Sequence, residues 1–183
     1  MRLSLMEMTM IDLCSGLGGA SQAMKDRGWK VISIDIEKKF KPDIVADVRK
    51  VALKNIKPLL IWASPPCDEF AREWMPWTKT GEKPDMSIVR ACYKIILEIK
   101  PVFWYIENVQ GAVKYFKPLL GKPRAIHKPY FLWGNFPNNW ELKIKNHRKK
   151  GSYSSTQKAL RAKIPYQLSL AVAKSIEANM ELF

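Results

Sequence analysis

The sequence predicts an α/β fold, a mostly parallel β-sheet flanked by helices, and three observations predict it. Short apolar runs of strand length alternate with helical periodicity through the first half of the chain. A glycine-rich stretch, Asp12-Leu13-Cys14-Ser15-Gly16-Leu17-Gly18-Gly19, follows the first run and precedes a helix. Later runs end in acids or in a proline-stiffened cysteine, which a parallel sheet gathers at its carboxyl edge.

Taken in order, strands are expected near Met8 to Leu13, Val31 to Ile34, Ile44 to Ala46, Leu59 to Ala63 and Val102 to Ile106, with a later one at Tyr130 to Trp133. Ile88, Val89, Cys92, Ile95, Ile96 and Ile99 recur at helical spacing, so a helix is expected over Ser87 to Ile99, ending before Pro101. Leu168, Ala171, Val172, Ser175 and Ile176 form the apolar face of a last helix that begins near Pro165. Two stretches read as irregular. Asp68 to Met86 carries Pro76, Gly81 and Pro84 among Arg72, Trp74, Trp77 and Lys79, a long loop. Pro137 to Lys163 is polar and basic around His147-Arg148-Lys149-Lys150 and is expected to be mobile.

With 183 residues, 47% of them hydrophobic, residues 1–183 are expected to form one domain. The apolar runs are too short to span a bilayer and no secretory signal is evident, so a soluble, cytoplasmic protein without membrane partners is expected. Cys14, Cys67 and Cys92 are too few and too scattered for a disulfide scaffold or a zinc site, and no metal is expected. Lys and Arg number 31 against 17 acids, and the net charge of +14 points to nucleic acid as partner, a solvated basic surface being the alternative.

The chemistry concentrates at strand ends. The glycine-rich turn lets a cofactor approach bare backbone, or is an ordinary tight turn. Asp35 ends the next strand roughly twenty residues on, where an acid binds ribose hydroxyls or caps a helix. Asp47 accepts from an adenine amine or caps the helix after it. Ser64-Pro65-Pro66-Cys67 presents a thiol at the same edge, and nearby cations and a helix N-terminus would activate it; a buried structural cysteine is the alternative, and Cys92 illustrates it. Glu107-Asn108-Val109 closes the fifth strand with an acid that, protonated, would draw charge from a pyrimidine ring, or that simply starts a helix.

In that order and spacing, D-L-C-S-G-L-G-G, P-P-C and E-N-V resemble the motifs of the cytosine-5 DNA methyltransferase family over roughly Met8 to Gly111, and Lys163 to Ser169 resembles its closing segment. The resemblance implies a Rossmann-like methyltransferase fold and S-adenosyl-L-methionine (SAM) as cofactor. It implies that Cys14, Ser15, Gly16, Leu17, Gly18 and Gly19 meet the methionine part, Asp35 the ribose, Ile36 the adenine face, and Asp47 with Val48 the adenine edge, with Ser64 and Pro66 also beside the cofactor. It implies Cys67 as the nucleophile that adds to C6 of cytosine, Glu107 as the acid at N3, and Asn108, Arg72 and Lys128 as substrate contacts. The target base must leave the DNA stack to reach such a pocket.

Two departures qualify the likeness. Only Pro137 to Lys163 is available as a recognition region, so readout should be minimal or supplied by a separate recognition subunit. Asp68 directly follows Cys67 and opposes thiolate formation. The competing readings are an RNA cytosine-5 methyltransferase, an inactive SAM- or nucleic-acid-binding module, a catalytic half, and an enzyme of free nucleotides.

Overall fold

The computed structural model describes residues 8–71, 83–137 and 155–180. Seven strands form its sheet: β1 (Thr9–Leu13), β2 (Lys30–Asp35), β3 (Ile44–Val45), β4 (Leu60–Ala63), β5 (Phe103–Asn108), β6 (Ala125–His127) and β7 (Tyr130–Asn135). Their order is β3-β2-β1-β4-β5-β7-β6. The first five run parallel, and β7 lies antiparallel between β5 and β6. The helices are α1 (Gln22–Asp26), α2 (Asp68–Ala71), α3 (Ser87–Ile99), α4 (Val113–Leu120), α5 (Ser155–Ala162) and α6 (Tyr166–Met180).

The central strands are apolar on both faces because both are covered. Along β1, β4 and β5, Met10, Leu60, Trp62 and Tyr105 pack with Met24 of α1 and with Leu168, Val172 and Ile176 of α6. The alternate residues Ile11, Leu13, Ile61, Ala63 and Ile106 pack with Val89, Cys92 and Ile96 of α3 and Phe116 of α4. That is the period-2 alternation of a sheet sandwiched between two helical layers.

The chain winds from β1 outward through β2 and β3, then returns to place β4 on the other side of β1. The carboxyl ends of β1 and β4 therefore flank the topological switch point, where open α/β sheets hold their ligands.

Three expectations need correction. The stretch read as a loop from Asp68 opens with helix α2, whose first turn holds Asp68 and Glu69; acids there complement the helix dipole, which gives Asp68 a structural reason to follow Cys67. The basic stretch expected to be irregular contains α5. No helix follows Asp47 for it to cap, since residues 48–50 form a turn. Among the described residues no helix is long and apolar enough to cross a membrane.

Candidate active site

The turn after β1 runs through left-handed backbone at Cys14 (φ 57°), Gly16 (φ 50°) and Gly18 (φ 67°). Asp35, at the end of β2, holds it: one carboxylate oxygen accepts the Gly16 N–H at 2.8 Å and the other accepts the Glu37 N–H at 2.8 Å. Asp35 thus ties two turns rather than capping a helix, and each oxygen keeps a further lone pair for a ligand hydroxyl. Gly19 is required by close approach, because a Cβ there would stand 2.5 Å from the carbonyl oxygen of Ile164 and 2.7 Å from its nitrogen. The segment between α5 and α6 therefore lies directly on the turn. Ser169 of α6 fastens it, donating to the Ala20 carbonyl at 2.6 Å and accepting the Ala23 N–H at 3.2 Å.

A cavity of about 400 Å³ opens over this turn and runs to the thiol of the proline turn. Cys14, Ser15, Gly16, Leu17, Gly19, Asp35, Ile36, Asp47, Val48, Ser64, Pro66 and Cys67 line it, so every cofactor residue expected from the sequence except Gly18 borders one space. Phe40 and Ile36 add apolar wall, and Ile36 is 61% exposed, a large aliphatic side chain left bare beside the cavity. Asp47 forms a two-point pair with Arg49, Nε to Oδ1 at 3.0 Å and Nη2 to Oδ2 at 2.7 Å. That pairing pushes its carboxyl down to about 2. Ala159, Ala162, Lys163 and Ile164 close the wall, a contribution the sequence reading missed because it assigned the stretch up to Lys163 to recognition and gave Ile164 only to the closing segment.

On the other side of the switch point, Asn108 clamps the proline turn. Its side-chain amide donates to the Pro65 carbonyl at 2.9 Å, while its oxygen accepts the Val109 N–H at 2.9 Å. The clamp joins the E-N-V strand end to the P-P-C turn and leaves Asn108 1% exposed. Cys67 is half-buried, and its carbonyl accepts the Ala71 N–H at 2.8 Å, so it stands at the start of α2.

Glu107 is the penultimate residue of β5, on the sheet face shared with Ser64. Burial pushes its carboxyl up to about 7, and the Ser64 hydroxyl opposes the rise. Tyr130 of β7 is its titratable neighbour: burial first, and then the Glu107 charge, push that phenol up to about 12. Of the three cysteines, none forms a disulfide. The neighbouring Cys92 thiol, together with burial, pushes the Cys14 thiol well above its ordinary value, which suits a wall residue and not a nucleophile.

Lys128 sits exposed in the β6–β7 turn, beyond the Asn108–Phe131 pairing and hence at the carboxyl edge. Arg72, with Trp74, Trp77 and Lys79, lies outside the described residues. One buried acid escaped the sequence reading as a site residue. Asp12 in β1 is fully buried, and neither of its oxygens has a hydrogen-bond partner. Burial pushes it up to about 7, with the Asp35 charge adding and Ser21 and Lys25 opposing. Its signal in the sequence was a carboxylate inside the otherwise apolar core of a strand. Among the described residues no cluster of His, Cys, Asp or Glu is arranged to hold a metal ion.

The family model for C-5 cytosine-specific DNA methylases matches residues 8–117, which is more than half of the chain and spans β1 through most of α4. The chain belongs to the C-5 cytosine-specific DNA methylase family. Among solved structures it is similar to EhMeth, a methyltransferase of Entamoeba histolytica, with 22% identity and a TM-score of 0.52 over 80% of this chain and 58% of that one. It is also similar to an E. coli prophage protein described as a candidate DNA modification methyltransferase, with 20% identity and a TM-score of 0.49 over 69% of this chain and 46% of that one. The likeness to EhMeth establishes the Rossmann-like methyltransferase fold. The chain spans about half the length of these solved relatives. No curated protein matches the sequence. Within the methylase family match lie both proline-turn and E-N-V motifs, whereas the wall formed by Ala159 to Ile164 falls outside it.

Proposed function

We propose that this chain is the catalytic unit of a SAM-dependent cytosine-5 methyltransferase acting on DNA, with Cys67 as nucleophile and Glu107 as acid. The observation that carries the reading is the single cavity that begins at the Cys14–Gly19 turn and ends at the Cys67 side chain. Family membership supports a cytosine in DNA as the target, and the net charge of +14 favours a polyanionic substrate. Residues 1–183 are read as one catalytic domain. Within the 137–163 segment we assign recognition to the stretch between β7 and α5, a reading supported by Ala159, Ala162 and Lys163 bordering the cavity.

The residues fit SAM. About 400 Å³ is within the range of small-molecule sites. The turn offers bare backbone for the methionine part, Asp35 has lone pairs for ribose hydroxyls, and Ile36 with Val48 offers an apolar slot for adenine, whose amine would share Asp47 with Arg49. SAM supplies the methyl group that ends on C5.

The rest is work for the chain's own side chains. The Cys67 thiolate forms a bond to C6 of the flipped cytosine, and the electron pair displaced from the C5–C6 bond makes C5 nucleophilic. Glu107, held near 7 by burial, carries a proton to N3 at close to neutral pH and withdraws charge from the ring. After methylation the C5 proton leaves to a base, the C5–C6 double bond re-forms and the Cys67 sulfur departs. Asn108 acts by holding the turn that aims Cys67, Lys128 would meet the nucleic-acid backbone or base from the carboxyl edge, and Arg72 is read as a further substrate contact.

The test is incubation with SAM and DNA containing 5-fluorocytosine, followed by a denaturing gel, with Cys67→Ala alongside. The expected result is a shifted band that requires SAM and disappears with Cys67→Ala, while SAM binding persists. Methyl transfer by Cys67→Ala at the wild-type rate overturns the nucleophile assignment. Adducts on matched RNA but not on DNA overturn the substrate, and recovery only on adding a recognition subunit identifies a split enzyme.

A further inference from the structure

A row of side chains on the α1/α6 face of the sheet leads from the protein interior to Glu107. Phe136 stacks on Tyr105 at 4.2 Å with an 11° tilt, and Tyr105 stacks on Trp62 at 4.8 Å with a 17° tilt. The Arg124 guanidinium covers the outer ring at 5.3 Å. Trp62 and Tyr105 are 0% exposed, so the indole is held on its β5 side by a ring with no room to turn away.

A buried indole N–H has to find an acceptor inside the protein. It finds the Ser64 hydroxyl oxygen at 2.9 Å. The pairing of Ala63 with Ile106 sets the next residues, Ser64 and Glu107, level with one another on the same face. With its oxygen accepting from the indole, the Ser64 hydroxyl has its own hydrogen left to donate, and the register sets the Glu107 carboxyl beside it as the neighbouring acceptor. Ser64 is anchored independently through its backbone N–H, which donates to Leu13 at 3.1 Å. The other groups at the Glu107 carboxyl edge are Asn108, committed to the proline turn, and the Tyr130 phenol.

We infer that Ser64, itself held by the Trp62 indole, is the positioning residue for Glu107, so that Trp62 and Ser64 form a relay that aims the proposed acid at its base. The inference rests on the reading of Glu107 as that acid, and it gives Ser64 a task beyond lining the cofactor cavity. The relay also explains a tryptophan in the middle of a central strand. A phenylalanine would fill the same stack, but only the indole brings a donor to fix the serine rotor.

The test is a carbon-13 NMR titration of the full chain labelled at the glutamate side-chain carboxyls, with the Glu107 signal identified by its loss in Glu107→Gln. In Ser64→Ala the Glu107 midpoint should rise by roughly one pH unit, as follows when a carboxylate loses a hydroxyl hydrogen bond. Ser64→Thr should restore most of the shift. Trp62→Phe, which keeps the stack and removes the N–H, should move the midpoint the same way by less. A Glu107 midpoint unchanged in both Ser64→Ala and Trp62→Phe overturns the relay, as does Ser64→Thr behaving like Ser64→Ala. Methyl transfer measured on the same samples separates the two ideas: wild-type rates in Glu107→Gln would remove Glu107 as the acid, whatever the titrations show about the relay.

Discussion

Asp12 and Glu107 are two acids on one face of one sheet, both buried and both pushed up to about 7 by that burial. They differ in where they sit. Glu107 lies one residue from the end of β5 at the carboxyl edge, level with Ser64 just past the neighbouring strand, whereas Asp12 lies inside β1 at 0% exposure. Burial alone raises an acid's affinity for its proton; a place at the ligand edge is what lets that proton be used on a substrate. One acid is thus equipped for chemistry, while the other is carried at a cost in stability once it ionises.

The largest expected effect on this contrast is at the edge. Glu107→Gln should lower methyl transfer by about 10²- to 10⁴-fold, the usual contribution of a positioned acid, with SAM binding retained. The same variant should unfold at a higher temperature than wild type at about pH 8, because it removes a carboxylate that is ionised and buried there. Loss of transfer without that gain would mean that Glu107 is better solvated than its burial indicates.

Asp12→Asn should be felt in stability. For an acid raised from 3.8 in the unfolded chain to about 7 in the fold, the unfolded state loses its proton first. Stability is therefore full below about pH 4 and falls as pH rises to about 7, where the folded form also ionises. Melting curves at about pH 5 and about pH 8 should show a smaller drop in Asp12→Asn than in wild type. An equal drop would show that Asp12 stays ionised throughout.

The smallest effect belongs to Asp35, the acid at the end of β2 that ties two turns together. Asp35→Ala should weaken SAM by about 1–3 kcal/mol, measured by calorimetry, through loss of an acceptor and loosening of Gly16. Unchanged affinity would reduce Asp35 to a tie between two turns.

The parallel half of the sheet was legible because each of its strands is a short apolar run with a turn signal after it, and the helix from Ser87 to Ile99 was legible to the residue because its apolar positions keep helical spacing. The outer elements were less so. Strand β6 has three residues and an exposed Ile126, so it carries no periodicity to read. Helix α2 has four residues, and its clearest mark, acids in the first turn, reads as a liability beside a cysteine until the helix is seen. In the site, Cys67, Glu107 and the cofactor turn were legible from their order along the chain. What Asn108 and Ser64 do was not, since a clamp to Pro65 and a place beside Glu107 depend on the register of β4 and β5, which no single segment encodes.

The crossing of Ile164 over Gly19 has a consequence for how the molecule is made. A ribosome delivers the glycine-rich turn first and the segment that roofs it only after β1 to β7 have emerged, so a growing chain already holds Cys67 while the cavity beside it still lacks a wall. The cavity is then completed only after the sheet has emerged, and the docking of α6 on α1, through Ser169 and the pairing of Arg27 with Glu177, is the step that seats its last wall.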